Sequence, residues 1–150
     1  MKHFKIVASL AALAAIACFS VVMPSSAEDG SGPATIASFA GRWQMTIVGQ
    51  TGCGFSTVVY YITLPRSGVG TQTSTSHTAG CGDGNSTSLP FVIQSVNADG
   101  SGRANLSCGA GCGFNLTIQL APNQQVFNAV DVDAVNPGNF IEGTAVRQSW

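Results

Sequence analysis

The chain has 150 residues, of which 45% are hydrophobic and only 9% are charged, and its formal net charge is −1. This length allows one domain of ordinary size. The low charge argues against nucleic acid or an anionic membrane surface as a partner, because both are bound through clustered Lys and Arg. The hydrophobic content argues against a disordered chain.

Residues 1–27 have the three parts of a secretory signal peptide. Lys2 and Lys5 precede an apolar run over residues 6–23, and Ser25 and Ala27 supply the small residues of a cleavage site. We therefore expect cleavage after Ala27, a secreted or periplasmic protein and no stable membrane insertion afterwards. One alternative is an uncleaved anchor, because the apolar run approaches the length of a membrane span. Another is lipid attachment at Cys18, which Ile16 and the apolar residues after Cys18 fit poorly.

Residues 28–40 are predicted to form a flexible N-terminal tail before a β-domain over residues 41–150. The stretch 34–40 has the composition for one short helical turn, although it fits a tail equally well. Cleavage of the signal removes one of the five cysteines and leaves four in this domain: Cys53, Cys81, Cys108 and Cys112. An even number in a small exported domain predicts two disulfides. Their spacing matches no zinc motif, so we expect neither a metal nor another cofactor.

Apolar and polar residues alternate with a period of two through most of the domain, the pattern of strands with one buried face. Clusters of Gly, Asn, Asp and Ser, such as residues 80–86, separate the runs and predict turns. The runs predict eight strands, at 42–48, 57–64, 69–77, 89–96, 103–108, 113–121, 125–134 and 140–148. In the seventh run we expect Val126, Val130 and Val132 to face inward, with Asp131 and Asp133 facing solvent.

Eight short consecutive strands with mostly short connections predict an all-β, up-and-down antiparallel barrel. Closure of the barrel pairs the first strand with the last and brings Trp43 near Arg147, where a guanidinium can lie over the indole ring. A β-sandwich of the same strands is the alternative.

The two architectures place the cysteines differently. Alternate loops of a meandering barrel lie at the same end, so all four cysteines would gather at one rim, whereas a sandwich need not bring them together. We favour the pairs Cys53–Cys81 and Cys108–Cys112, because each joins the same hairpin or neighbouring hairpins.

The residues Gly41-Arg42-Trp43, together with Arg147, resemble the calycin barrels, the group that contains lipocalins and avidins. The resemblance implies an eight-stranded barrel with a ligand-binding mouth. The sequence departs from lipocalins in lacking a long helix near the C-terminus. It departs from avidins because Trp43 and Trp150 are too few for a biotin cage.

The chain also resembles the small periplasmic inhibitors of bacterial metalloproteases. These are secreted eight-stranded barrels with a flexible N-terminal tail and a disulfide between early loops. The resemblance implies that residues 28–39 would be this tail and that Cys53–Cys81 would be the link.

His77 is the single histidine that remains after signal cleavage, and Asp83 is predicted at the same rim. Together with a nearby hydroxyl they could form the site of a hydrolase, but hydroxyls are abundant here and no nucleophile motif is present. We expect His77 to be a solvated residue at a strand end. Asp131 and Asp133 could act as an acid/base pair, although surface carboxylates are the simpler interpretation.

These observations favour binding over catalysis. A cavity for a small apolar ligand would be lined by inward-facing residues, namely Trp43, Tyr60, Ile62, Phe114, Leu116 and Ile118. An eight-stranded barrel is just wide enough for its own side chains to fill, so the same residues would also suit a packed core. The alternative function is an inhibitor or interaction protein that contacts a protein target through the disulfide-held rim or the tail. A hydrolase using His77 ranks last.

Overall fold

The computed structural model describes residues 32–131 and 140–149. The predicted signal peptide, the first four residues of the predicted tail, Val132, Asp133 and Trp150 lie outside the described residues. A 3-10 helix, Ile36–Phe39, precedes eight strands. These are β1 (Gly41–Thr51), β2 (Gly54–Leu64), β3 (Val69–Thr78), β4 (Gly82–Val96), β5 (Ser101–Gly109), β6 (Cys112–Leu120), β7 (Val126–Asp131) and β8 (Phe140–Arg147).

The strands form a closed barrel in which every neighbouring pair is antiparallel and β1 pairs with both β2 and β8. The predicted eight-stranded up-and-down barrel is confirmed, and the sandwich alternative is wrong. Both predicted disulfides are present, with Cα–Cα distances of 5.6 Å for Cys53–Cys81 and 5.1 Å for Cys108–Cys112. No helix in the described part of the chain is long and apolar enough to span a membrane.

Alternation of side chains produces the core. In β6, Leu116, Ile118 and Leu120 are buried while the residues between them are exposed, because successive side chains of a strand point to opposite faces. The largest buried side chains come together near the end where β1 begins, with the rings of Trp43 and Phe127 4.9 Å apart. Aromatic contacts of this edge-to-face type add roughly 0.5–1.5 kcal/mol beyond the buried area.

The 3-10 helix belongs to the packed structure, which therefore begins before residue 41. Phe39 is completely buried in the core, and its carbonyl oxygen accepts a 2.8 Å hydrogen bond from the indole nitrogen of Trp43. The backbone nitrogen of Ala34 donates to the carbonyl of Ala98 in the β4–β5 loop at 3.0 Å. Residues 34–40 thus cover one end of the barrel, whereas the sequence suggested a flexible tail up to residue 40.

Two strand predictions need correction. β4 begins at Gly82 rather than at residue 89, because most of the Gly/Asn/Ser cluster lies in the strand and the turn falls at residues 79–81. In β7 the inward face carries Phe127 and Ala129, while Val130 is 47% exposed. The aromatic ring of Phe127 packs among the buried rings. The face of β7 that points into the barrel is therefore the opposite of the one that the valines predicted.

Candidate functional site

The half of the barrel away from the 3-10 helix contains a pocket of about 460 Å³. It opens at the end where the β1–β2, β3–β4 and β5–β6 hairpins turn. Inward-facing residues at this end are smaller than those around Trp43, so the side chains do not fill the interior. The pocket lining contains both hydroxyl groups and apolar side chains.

One wall is made of hydroxyl groups from β2, β3 and β4. In β3 the threonines at 71, 73 and 75 face outward, so the smaller Ser74 and Ser76 face inward. Ser74 Oγ lies 2.6 Å from Ser86 Oγ of β4. Ser56 Oγ of β2 lies 2.9 Å from Thr78 Oγ1, and both residues line the pocket. Each hydroxyl can both donate and accept, so this wall can bond to ligand groups of either kind.

The rest of the lining is largely apolar. It includes the side chains of Ile47, Val58, Tyr60, Phe114 and Ile141. Val58 and Tyr60 lie on β2 directly beside Ser76 and Ser74 of β3, so hydroxyl and apolar groups alternate there. Burial raises the pKa of Tyr60 from 10.0 to about 12, and no hydrogen bond contributes to this shift. The phenol is therefore neutral at physiological pH and remains a hydrogen-bond donor at the edge of an otherwise apolar surface.

Both disulfides border the pocket. Cys53–Cys81 joins the β1–β2 turn to the β3–β4 turn, and Cys108–Cys112 closes the β5–β6 hairpin. Three of these cysteines, Cys53, Cys108 and Cys112, line the pocket directly. The cysteines therefore lie together at one rim, and they hold three of the hairpins at this end of the barrel.

The six residues predicted to line a ligand cavity divide into two groups. Tyr60 and Phe114 line the pocket. The other four are buried in the packed half of the barrel and contribute to its core: Trp43, Ile62, Leu116 and Ile118. Sequence reasoning missed the serine wall, because in β3 both faces are polar and alternation gives no contrast. The smaller size of the residues at 74 and 76, compared with their threonine neighbours, was the available signal.

The other candidate residues lie away from the pocket interior. His77 Nδ1 is 2.7 Å from Asp83 Oδ1, with the two side chains 73% and 84% exposed on the outer surface. Asp131 faces inward in β7 and is half-buried, opposite Leu116 of β6. Within the described residues, no group of three or more His, Cys, Asp or Glu side chains is placed to hold a metal ion.

The described residues that line the pocket include no charged side chain. An ionic ligand would lose its hydration without gaining an opposite charge, and this costs several kcal/mol or more. The site therefore favours neutral groups.

Comparison with known proteins gave no match to a family model, to a curated protein or to a solved structure. The resemblances to calycins and to metalloprotease inhibitors thus stay predictions.

Proposed function

We propose that this is an exported binding protein whose pocket at the disulfide rim takes a small, neutral, amphipathic molecule. The observation that carries the proposal is a pocket that combines a cluster of hydroxyls with apolar side chains and has no charged residue among the described residues of its lining. Two disulfides are typical of proteins in an oxidising compartment, which supports a periplasmic or extracellular site of action.

The size of the pocket suits such a ligand. Small-molecule sites usually enclose about 300–1,000 Å³, and this pocket has about 460 Å³. A ligand with an apolar ring or chain would contact Phe114 and Ile141, while a hydroxyl or carbonyl group on the same ligand would bond to Ser74 or Ser76. A purely apolar ligand would exclude water from these hydroxyls and leave each with only its one bond inside the protein, so an amphipathic ligand fits better than the apolar one expected from the sequence.

The test uses two dyes whose fluorescence rises in an apolar site. Phenylnaphthylamine is neutral, whereas anilinonaphthalene sulfonate carries a negative charge. We expect saturable binding of the neutral dye to the oxidised protein with one site per chain, and roughly tenfold weaker binding of the sulfonate. Absence of saturable binding by the neutral dye, or tighter binding of the sulfonate, would contradict the proposal.

Two adjacent positions on β3 provide a matched pair of variants. Ser76→Phe places a ring inside the pocket and should abolish dye binding, because Ser76 lines it. Thr75→Phe adds the same ring on the outer face, where Thr75 is exposed, and should leave dye binding unchanged. Equal effects of the two substitutions would place the dye outside the pocket.

A second candidate is an inhibitor or interaction protein that acts through the rim. It is favoured by Phe55 and Phe140, which are 54% and 56% exposed and both pair with Gln50 of β1. Exposed aromatic residues this close together are typical of protein contacts. Inhibition of thermolysin by the purified protein, relieved in a Phe55→Ser, Phe140→Ser double variant, would support this function, and unaffected thermolysin activity would count against it.

A further inference from the structure

The barrel wall is interrupted between β4 and β5 near the pocket. Pairing of these strands runs from Val96–Gly102 to Phe91–Leu106 and ends there. Both strands continue beyond this point, β4 to Gly82 and β5 to Gly109. We call this interruption the seam; it lies between residues 82–89 of β4 and residues 107–109 of β5.

The sequence accounts for the seam. The next pair in the ladder would join Pro90 to Ser107, but a proline nitrogen carries no hydrogen and cannot donate. The Ser107 carbonyl instead accepts a 2.9 Å hydrogen bond from Nε2 of Gln72, a buried residue of β3. The backbone of β4 is irregular beside the proline. Ser88 has a φ of 56°, and the pairing of β3 with β4 shifts register between Gln72 and Ser74. The side chain of Gln72 thus replaces the missing backbone donor at the base of the seam.

Beyond Pro90, β4 is an unpaired edge on the side of the seam. Its other side pairs with β3, for example through Asn85 with Thr75 and Asp83 with His77. No backbone hydrogen bond from any described residue outside β3 reaches residues 82–89. Gly82 and Gly84 carry no side chain that would cover the edge. Among the described residues, the backbone donors and acceptors on this side of β4 therefore have no backbone partner.

The pocket extends to this edge. Gly84, Asn85 and Ser86 are consecutive residues of β4, and all three line the pocket. Gly84 and Ser86 face inward, and the backbone of Asn85 lies between them. The part of β4 that borders the pocket is therefore the same part that lacks a partner across the seam.

We propose that the seam binds an extended polypeptide segment, which pairs with the β4 edge as an added strand and places alternate side chains in the pocket. A polypeptide strand has donors and acceptors at the spacing that an unpaired edge presents, and proteins use such edges for recognition. Tyr60 and Phe114 in the pocket lining favour an apolar or aromatic side chain, and the described part of that lining, which has no charged residue, favours an uncharged segment. This inference does not depend on the small-ligand function, because the edge is set by strand pairing and not by what fills the pocket.

The first experiment asks whether peptides bind as strands. A displayed library of random linear peptides of about twelve residues is selected on the immobilised oxidised protein, and the strongest binder is synthesised with a fluorescent label. Single backbone N-methyl groups are then introduced at each position. We expect a period of two in the affinities, with about tenfold losses at alternate positions and little change between them, because only alternate amides face the edge.

The second experiment locates the binding. A lysine on a strand edge discourages strand addition, so Asn85→Lys should weaken the peptide by about tenfold or more. Thr117→Lys is the control, because Thr117 is exposed on β6 and pairs with neighbours on both sides. If Asn85→Lys does not fold, the isotope-labelled native protein is titrated with the peptide. Nuclear magnetic resonance should then show the largest changes in amide chemical shift over residues 82–89.

Four results of these two experiments would overturn the proposal. They are the absence of any selected binder, N-methylation tolerated at every position, equal losses in the two lysine variants, and amide shifts that avoid residues 82–89. Dimerisation of the chain through the same edge would also overturn it, since a second copy would then be the occupant.

Discussion

The guanidinium carbon of Arg147 lies 4.3 Å from the centre of the Trp43 ring, and the two residues are register partners where β8 closes the barrel against β1. The same guanidinium donates hydrogen bonds to the carbonyls of Ser38 at 2.7 Å, of Gln124 at 2.8 Å and of Ala40. One side chain therefore joins the closing strand pair, the 3-10 helix and the β6–β7 loop.

Substitution of Arg147 should destabilise the barrel even when the charge is kept. Arg147→Lys retains a cation but cannot reach three separate carbonyls from one planar group, so we expect a loss of about 2–3 kcal/mol in the free energy of unfolding. Urea denaturation measures it. Arg103→Lys, an exposed exchange on β5, is the control and should stay within about 0.5 kcal/mol of wild type. Equal stability of the two variants would show that the contacts of Arg147 contribute nothing.

Alanine substitution at two strand glycines should have different effects on the free energy of unfolding. A Cβ added at Gly143 of β8 would collide with the carbonyl oxygen of Thr46 and lie 2.7 Å from Cγ1 of Ile47. Gly143→Ala should therefore cost about 1–3 kcal/mol through overpacking. A Cβ at Gly113 of β6 meets no atom closer than 3.5 Å, so Gly113→Ala should be neutral or slightly stabilising. Thermal unfolding of both variants tests the difference, and a stable Gly143→Ala protein would mean that β1 and β8 can separate there.

The sequence was sufficient to predict the barrel because two independent signals agreed. Alternation as in Phe114, Leu116 and Ile118 identified the strands, and glycine-rich clusters identified most of the turns. The meander also favoured the correct cysteine pairs, because each pair joins one hairpin or two neighbouring hairpins. The start of β4 was missed, because a Gly/Asn/Ser cluster has turn composition whether it forms a turn or an unpaired strand edge.

The pocket was harder to predict than the fold. Its position depends on which inward residues are too small to fill the barrel, and this requires the register of all strands at once. Trp43 and Tyr60 both face inward, yet Trp43 is packed beneath Phe127 and Tyr60 borders the pocket. The seam likewise follows from Pro90 only when its neighbour across the ladder is known to be Ser107.

The two disulfides should contribute unequally to stability. Cys53 and Cys81 are 28 residues apart in sequence, whereas Cys108 and Cys112 are 4 apart. The chain-entropy relation gives about 3.5 kcal/mol for the longer loop and about 2 kcal/mol for the shorter one. We expect the Cys53→Ala, Cys81→Ala double variant to unfold at a lower urea concentration than the Cys108→Ala, Cys112→Ala variant. The reverse order would show that the shorter link holds the rim by native contacts rather than by limiting the unfolded chain.

The stability of the protein should fall at alkaline pH because of Tyr60. Its pKa is about 12 in the folded protein, above the ordinary value of 10.0, so the folded state holds this proton more tightly than the unfolded chain. The contribution to stability is therefore complete below about pH 10 and is lost as the pH rises through about 12, in total roughly 2–3 kcal/mol. Urea denaturation at a series of pH values measures the loss. Tyr60→Phe should remove this part of the pH dependence, whereas Tyr61→Phe, on the exposed face of the same strand, should retain it. An unchanged alkaline loss in Tyr60→Phe would show that another group titrates and that the pocket does not hold the phenol in its neutral form.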